Sequence, residues 1–337
     1  MITIVDYEMG NPKSIMNMLS RLGIKSQLSR NVNDILQANK LILPGVGAFD
    51  AAMLNLKKFN LIELGAGNGE MMKVIIESFK KFPSFINSCN IIIYEKSPKL
   101  IEKQKTNINF KNIKWINDLK ETNKLPSIFL ANEFFDAIPI KQFLKNENIW
   151  FERFVHISNK KKLSFTNKKV NVKALEKKIN FKISEKQNFI EYSPLGIKYL
   201  IDILKLIKKN KGGLLIIDYG YFNKKMRDTL QAVHKQKYSK VLENIGKSDL
   251  TYNINFYLIK KITNNFRKLD INFTSQKNFL TNLGIQQRAE IISKDKTFIE
   301  KADIFYRLKR LINAKEMGDL FKVMLIKDSS NNFQIGF

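Results

Sequence analysis

A short, glycine-dense turn constrains this chain more than any other feature. Gly65-Ala66-Gly67-Asn68-Gly69 breaks the strand pattern that opens at Leu61-Ile62-Glu63-Leu64 and precedes a stretch in which Met71, Met72, Ile75, Phe79 and Phe82 recur at helical spacing. A strand that passes through three glycines into a helix brings a ligand against bare backbone at a helix N-terminus. The dinucleotide fingerprint Gly-x-Gly-x-x-Gly is a wider cradle, shaped for a pyrophosphate. The compact Gly-x-Gly-x-Gly form, with Glu63 ahead of it, suits a cationic amino-acid ligand such as S-adenosylmethionine (SAM), although a plain tight turn reads the same way in isolation. Glu95 ends the next strand, 26 residues after Gly69, near the roughly 20-residue offset at which an acid reaches a ribose hydroxyl pair. The plainer reading of Glu95 is a charge at the start of a helix.

The turn sits in a βαβ rhythm. Residues 90–94, 113–116 and 127–131 read as strands, 97–106 and 196–209 as helices, and 214–217 as a strand ending at Asp218-Tyr219-Gly220. Residues 150–158 and 162–166 read as an antiparallel hairpin, 168–188 stays ambiguous between helix and strand, and the last third mixes helices such as 301–313 with a strand at 321–327. The expected fold is α/β: a Rossmann-like, mainly parallel central sheet with inserted antiparallel and helical elements. Residues 1–58 are built differently. Strands at 2–5, 25–29 and 41–43 alternate with a helix over 15–22 and one capped at Asn33, a β-α-β-α-β half-sheet.

Composition narrows the class. The 337 residues are 44% apolar, enough to bury a core, so a disordered polyelectrolyte is excluded. A single cysteine, Cys89, excludes an intrachain disulfide scaffold and fits a reduced compartment. No run approaches a membrane span, and no targeting peptide is visible, so the expectation is a soluble protein of the bacterial cytoplasm, or of the mitochondrial matrix in a eukaryote. The net charge of +27 invites a nucleic-acid reading, but only eight of the 58 basic residues are Arg. Scattered Lys describes a solvated surface better than a groove for phosphates.

Carboxylates gather where ligands of such sheets bind. Asn132-Glu133-Phe134-Phe135-Asp136-Ala137-Ile138-Pro139 follows the fourth parallel strand of the second piece, and Asp218 ends another, so their acids lie over the carboxyl edge of the sheet. Acids converging on one cleft of a basic protein suit a cation, and a guanidinium above all, because its planar fork pairs bidentately with carboxylates.

From residue 59 onward these motifs resemble one family. Residues 132–139, Ile216-Ile217-Asp218-Tyr219-Gly220, Asp228-Thr229-Leu230 with His234-Lys235, Gly246-Lys247-Ser248-Asp249-Leu250-Thr251, Gly284-Ile285-Gln286-Gln287-Arg288 and Met317-Gly318-Asp319-Leu320-Phe321 occur in the order seen in MidA-like SAM-dependent methyltransferases. The resemblance implies SAM as cofactor, held by Glu63, Gly65, Gly67, Gly69, Glu95 and Asn132. It also implies a protein arginine as methyl acceptor, in a subunit of respiratory complex I (NADH:quinone oxidoreductase) during assembly. A guanidinium is a weak nucleophile, so carboxylates must fix one nitrogen in line with the methyl. The candidates are Glu133, Asp136 and Asp218, with Asp249 behind them; His234 is the candidate proton acceptor, or else a hydrogen-bonded structural histidine. No metal is expected, and a homodimer is open.

Residues 1–58 resemble something else. Ile4-Val5-Asp6-Tyr7-Glu8-Met9-Gly10-Asn11 and Leu41-Ile42-Leu43-Pro44-Gly45-Val46-Gly47-Ala48-Phe49 are similar to the start of HisH, the glutaminase subunit of imidazole glycerol phosphate synthase. The expected organisation is a truncated class I glutaminase-like fragment at 1–58, fused to a methyltransferase domain at 59–337 that lacks its family's usual N-terminal region and is weakened by the loss. Cys89 has no Gly-x-Cys elbow, so glutaminase activity is expected to be absent. The alternatives to a methyltransferase are a noncatalytic complex I assembly factor and, behind it, a remnant amidotransferase of histidine biosynthesis.

Overall fold

The computed structural model describes residues 1–6, 12–42, 57–235 and 237–337. β1 (Ile2–Val5), α1 (Pro12–Arg21), β2 (Ser26–Ser29), α2 (Val32–Leu36) and β3 (Lys40–Ile42) build a small parallel sheet in the order β2-β1-β3. The helix expected to be capped at Asn33 is capped two residues earlier: the Asn31 side chain accepts from the Asn33 amide at 2.9 Å. Asn31 still has extended backbone, as an N-cap requires, whereas Asn33 is already helical. Residues 7–11 and 43–49, which carry most of the HisH-like motifs, lie outside the described residues.

The central sheet begins with β4 (Phe59–Leu64). The chain continues through α3 (Glu70–Phe79), α4 (Pro83–Ser88), β5 (Cys89–Tyr94), α5 (Pro98–Asn107), β6 (Ile113–Ile116) and β7 (Ser127–Asn132). β8 (Lys141–Asn146), β9 (Ile149–Ile157), β10 (Leu163–Lys169), α6 (Val172–Ile179) and β11 (Phe189–Tyr192) form the insertion. α7 (Pro194–Asn210) and β12 (Gly212–Tyr221) return to the central sheet, and β13 (Gln231–His234), β14 (Lys237–Ser239) and β15 (Asp249–Thr251) make a separate three-stranded sheet. The chain closes with β16 (Ile254–Asn255), α8 (Phe256–Thr263), β17 (Leu269–Ser275), α9 (Gln276–Asn282), α10 (Ile285–Ser293), α11 (Phe298–Ile312), α12 (Met317–Leu320) and β18 (Phe321–Asp328).

Strand order is β6-β5-β4-β7-β12-β18-β17, parallel from β6 to β12, with β18 antiparallel to both neighbours and β16 pairing the end of β12. The chain moves outward from β4 through β5 to β6, then crosses back to lay β7 on the other flank of β4. That reversal opens a crevice at the carboxyl ends of β4 and β7. Both faces of the sheet are covered, which explains the unbroken apolar runs. Ile62, Phe129, Leu214 and Ile216 meet Leu200, Ile203, Leu204 and Ile207 of α7 on one face, while Leu61, Ile91 and Ile93 meet Met72 and Ile76 of α3 on the other. Each such buried side chain contributes about 2 kcal/mol of gross stabilisation.

The expected hairpin is β9–β10, extended by β8 and β11 into an antiparallel sheet ordered β10-β9-β8-β11. A polar clamp docks it. The buried Glu191 accepts from Gln142 Nε2 at 2.6 Å and from the Thr229 hydroxyl, while Asp228 accepts from Gln142 Nε2 at 2.8 Å and Arg153 at 2.6 Å. Asp228-Thr229 is therefore a fastening between the insertion and the segment after β12.

Candidate active site

The glycine turn sits at the crevice. Gly65, Gly67 and Gly69 all have positive φ (65°, 54° and 86°), conformations that side-chained residues adopt only under strain. A Cβ at Gly65 would lie 2.9 Å from the Phe134 ring, and one at Gly69 would lie 2.8 Å from Ile108 Cδ1, whereas one at Gly67 would meet nothing within 4 Å. Two glycines thus allow close packing, and the third faces open space. Glu63, just before the turn, is buried, and its Oε2 finds no hydrogen-bond partner among the described residues. Burial pushes this carboxyl up to about 7, partly offset by the Met72 amide. An orphaned buried carboxylate oxygen asks for a donor, best a cationic one.

Glu95, at the end of β5, accepts on Oε1 from the amides of Lys96 (2.8 Å) and Ser97 (2.9 Å) and on Oε2 from Gln104 Nε2 (3.2 Å). Gln104 also donates to the Gly67 carbonyl at 2.9 Å. Reasoning from the sequence missed Gln104, whose only signal is a polar residue on the buried side of a Lys-rich helix. It also missed the aromatic wall beside the turn. Tyr94 and Tyr199 share a 3.0 Å hydroxyl contact, and the Phe134 ring lies 5.6 Å from that of Tyr199 and 6.4 Å from that of Tyr94.

The rim acids do converge. Glu133 follows Asn132 at the end of β7 with φ 49°, and its amide donates to the Ile217 carbonyl at 2.9 Å, locking the loop to β12. Asp218, fully buried, accepts on Oδ2 from the amides of Phe135 (3.1 Å) and Asp136 (3.4 Å) and on Oδ1 from that of Tyr219 (2.9 Å). Its carboxyl is raised well above the usual range by burial and then by Asp136. Committed to three amides and without exposed surface, Asp218 shapes the loop. Asp136 is buried, its Oδ1 finds no hydrogen-bond partner among the described residues, and burial followed by the charge of Glu133 lifts it to about 6. Glu133 is exposed and also raised, by desolvation first. Tyr219 is pushed up to about 12 by burial and by the same three carboxylates, which places all four groups in one field.

His234 is on β13, in the separate three-stranded sheet, with Nδ1 2.9 Å from the Lys247 carbonyl. A carbonyl only accepts, so Nδ1 carries the hydrogen and Nε2 is left as the acceptor. Asp249 is exposed on β15, paired in register with Val233. Among the described residues no group of His, Cys, Asp and Glu is placed to hold a metal ion, and no helix is long and apolar enough to cross a membrane.

A family model for S-adenosyl-L-methionine-dependent methyltransferases matches residues 46–273, so the matched stretch starts ahead of the boundary read at 58/59. The chain is 27% identical over 301 residues to the mitochondrial protein arginine methyltransferase NDUFAF7 of Xenopus tropicalis, covering 81% of this chain and 69% of that one. It is 26% identical over 290 residues to the human protein of the same name, covering 78% and 65%. The chain thus spans about two thirds of the length of these relatives. Two crystal structures of proteins from Burkholderia thailandensis share the fold. One is a native form (TM-score 0.70, 20% identity, covering 85% of this chain and 79% of that one), and the other is bound to S-adenosyl-homocysteine (TM-score 0.68, 19% identity, 85% and 76%).

Proposed function

Because the chain belongs to the S-adenosyl-L-methionine-dependent methyltransferase family, we propose that it methylates a protein arginine, with a subunit of respiratory complex I as the substrate. The observation that carries the arginine reading is the pairing of Asp136, whose buried oxygen lacks a donor, with the exposed Glu133 beside it at the crevice. The names of the relatives point the same way.

The residues present fit SAM. Gly67 leaves backbone open to a ligand, and the orphaned Glu63 oxygen suits an ammonium group. Gly65 and Gly69 hold the turn, Glu95 takes the ribose, and Asn132 closes the cofactor side of the rim. Bound SAM supplies an electrophilic methyl on a sulfonium. The protein's part is to present the acceptor: Glu133 and Asp136 grip the guanidinium, orient one nitrogen and draw positive charge onto the others. Asp218 keeps the 132–136 loop in place for that grip, and the free Nε2 of His234 is the candidate proton acceptor.

For residues 1–58 the HisH-like reading stands as a proposal without glutaminase chemistry. Cys89 is buried in β5 with its thiol pushed up to about 12 by desolvation, so it offers no thiolate near neutrality.

The test is methyl transfer from labelled SAM to purified complex I subunits, read by mass spectrometry at arginine. Incorporation that falls at least a hundredfold in Glu133→Gln and Asp136→Asn, while SAM still binds, is expected. Unlabelled arginines in the presence of a SAM-binding wild type would sink the proposal and leave a binding-only assembly role.

A further inference from the structure

Gln104 is fully buried on α5, and all its polar groups are engaged. Nε2 donates to the Gly67 carbonyl (2.9 Å) and to Glu95 Oε2 (3.2 Å), while Oε1 accepts from the Trp115 indole at 3.0 Å. These partners settle the amide's orientation. Trp115 can only donate, and the Gly67 carbonyl and the Glu95 carboxylate can only accept, so a flipped amide would oppose like groups at all three contacts. α5 holds the turn at two further points: Asn107 Nδ2 donates to the Asn68 carbonyl at 3.0 Å, and Ile108 packs where a Cβ of Gly69 would stand.

Glu95 is divided between two tasks. Oε1 is filled by the Lys96 and Ser97 amides, whereas Oε2 receives, among the described residues, only Gln104 and keeps acceptor capacity. The direction of that remaining capacity therefore depends on Gln104, which at the same time fixes the carbonyl of Gly67, the glycine of the turn that faces open space. The geometry points to Gln104 as a positioning residue that, oriented by Trp115, aligns Glu95 with the glycine turn so that both act on one nucleoside-containing ligand. It works through Glu95 and sets selectivity for the ribose hydroxyls. This inference rests on the SAM-site reading above.

Calorimetry on the full chain with 5′-methylthioadenosine and its 2′,3′-dideoxy analogue tests it. Wild type should prefer the hydroxylated compound by about tenfold or more, the size expected of hydrogen bonds to a charged acceptor. Gln104→Leu should reduce that ratio to near unity, and Trp115→Phe, which keeps an aromatic ring in place but removes the orienting N–H along with part of the indole, should reduce it in part. A merely structural role would weaken both compounds in the same proportion, and an unchanged ratio in both variants overturns the inference. Binding of neither compound to the wild type overturns the SAM-site reading itself, which is a distinguishable failure.

Discussion

Glu63 joins folding to ligand binding through one proton. In the folded chain its carboxyl titrates near 7, against an ordinary value of 4.5. Between those values the folded state holds a proton that the unfolded state has lost, so stability declines as pH rises from about 4.5 to 7, and the burial cost is complete above 7. Glu63→Gln removes that cost. At pH 8 it should raise the stability of the ligand-free chain by up to about 3 kcal/mol, read by denaturant titration, while SAM affinity drops. In the wild type, affinity should fall as pH is lowered through about 7, because a neutral Glu63 no longer attracts an ammonium, and calorimetry in buffers of different ionisation enthalpy should record proton release on binding near pH 6.5. Lack of any pH dependence there would remove Glu63 from the cofactor's contacts. Gly67→Val is the complementary change: its side chain enters open space, so the expected result is loss of SAM binding at a backbone-strain cost of about 1 to 2 kcal/mol.

Among the elements, the junction of α7 and β12 is the tightest point. Lys211 and Gly212 both have positive φ (67° and 115°), and a Cβ on Gly212 would lie 2.0 Å from the Ser127 carbonyl oxygen. That oxygen is backbone of β7, the strand that delivers Asn132 and Glu133 to the crevice. Gly212→Ala must push β12 away from β7, and a loss of more than about 3 kcal/mol is expected, seen as a lower melting midpoint or insoluble expression. A midpoint within about 2 °C of wild type would show that the pair yields more easily than the packing suggests. The rim depends on the same two strands, since Asp218 of β12 holds the Phe135 and Asp136 amides after β7. The glycine run and the acid motif were legible in the sequence because each is contiguous. The strands β8, β11 and β17 were not, because four of the six residues of Lys141–Asn146 are polar, Phe189–Tyr192 is only four residues long, and the pairings of β11 with β8 and of β17 with β18 join segments far apart in the chain.

At the scale of the whole molecule, the two buried clusters draw on none of the described residues of 1–42, and among the described residues the β2-β1-β3 sheet shares no strand pairing with the central one. Deleting residues 1–42 is therefore expected to shift the melting midpoint by no more than about 3 °C and to leave SAM affinity unchanged; a large loss of either would make that sheet part of the enzyme. The charge of +27 also reads differently against the fold. The candidate site acids are a minority of the charges, and burial together with their mutual proximity holds Asp136 near 6 and Asp218 well above its usual range. The sequence by itself determined that a strand enters a helix through Gly65, Gly67 and Gly69 and that acids follow strands at 95, 133 and 136, while Asp218, read as ending a strand, lies inside β12 three residues before its end; local patterns of apolar residues and glycines dictate elements and the direction in which they run. Only the tertiary structure decided that Asp218 is a buried prop, that Glu63 has an unanswered oxygen, and that Gln104 joins the turn to Glu95. Burial and hydrogen bonding are relations between residues distant in the chain, and no local pattern encodes them.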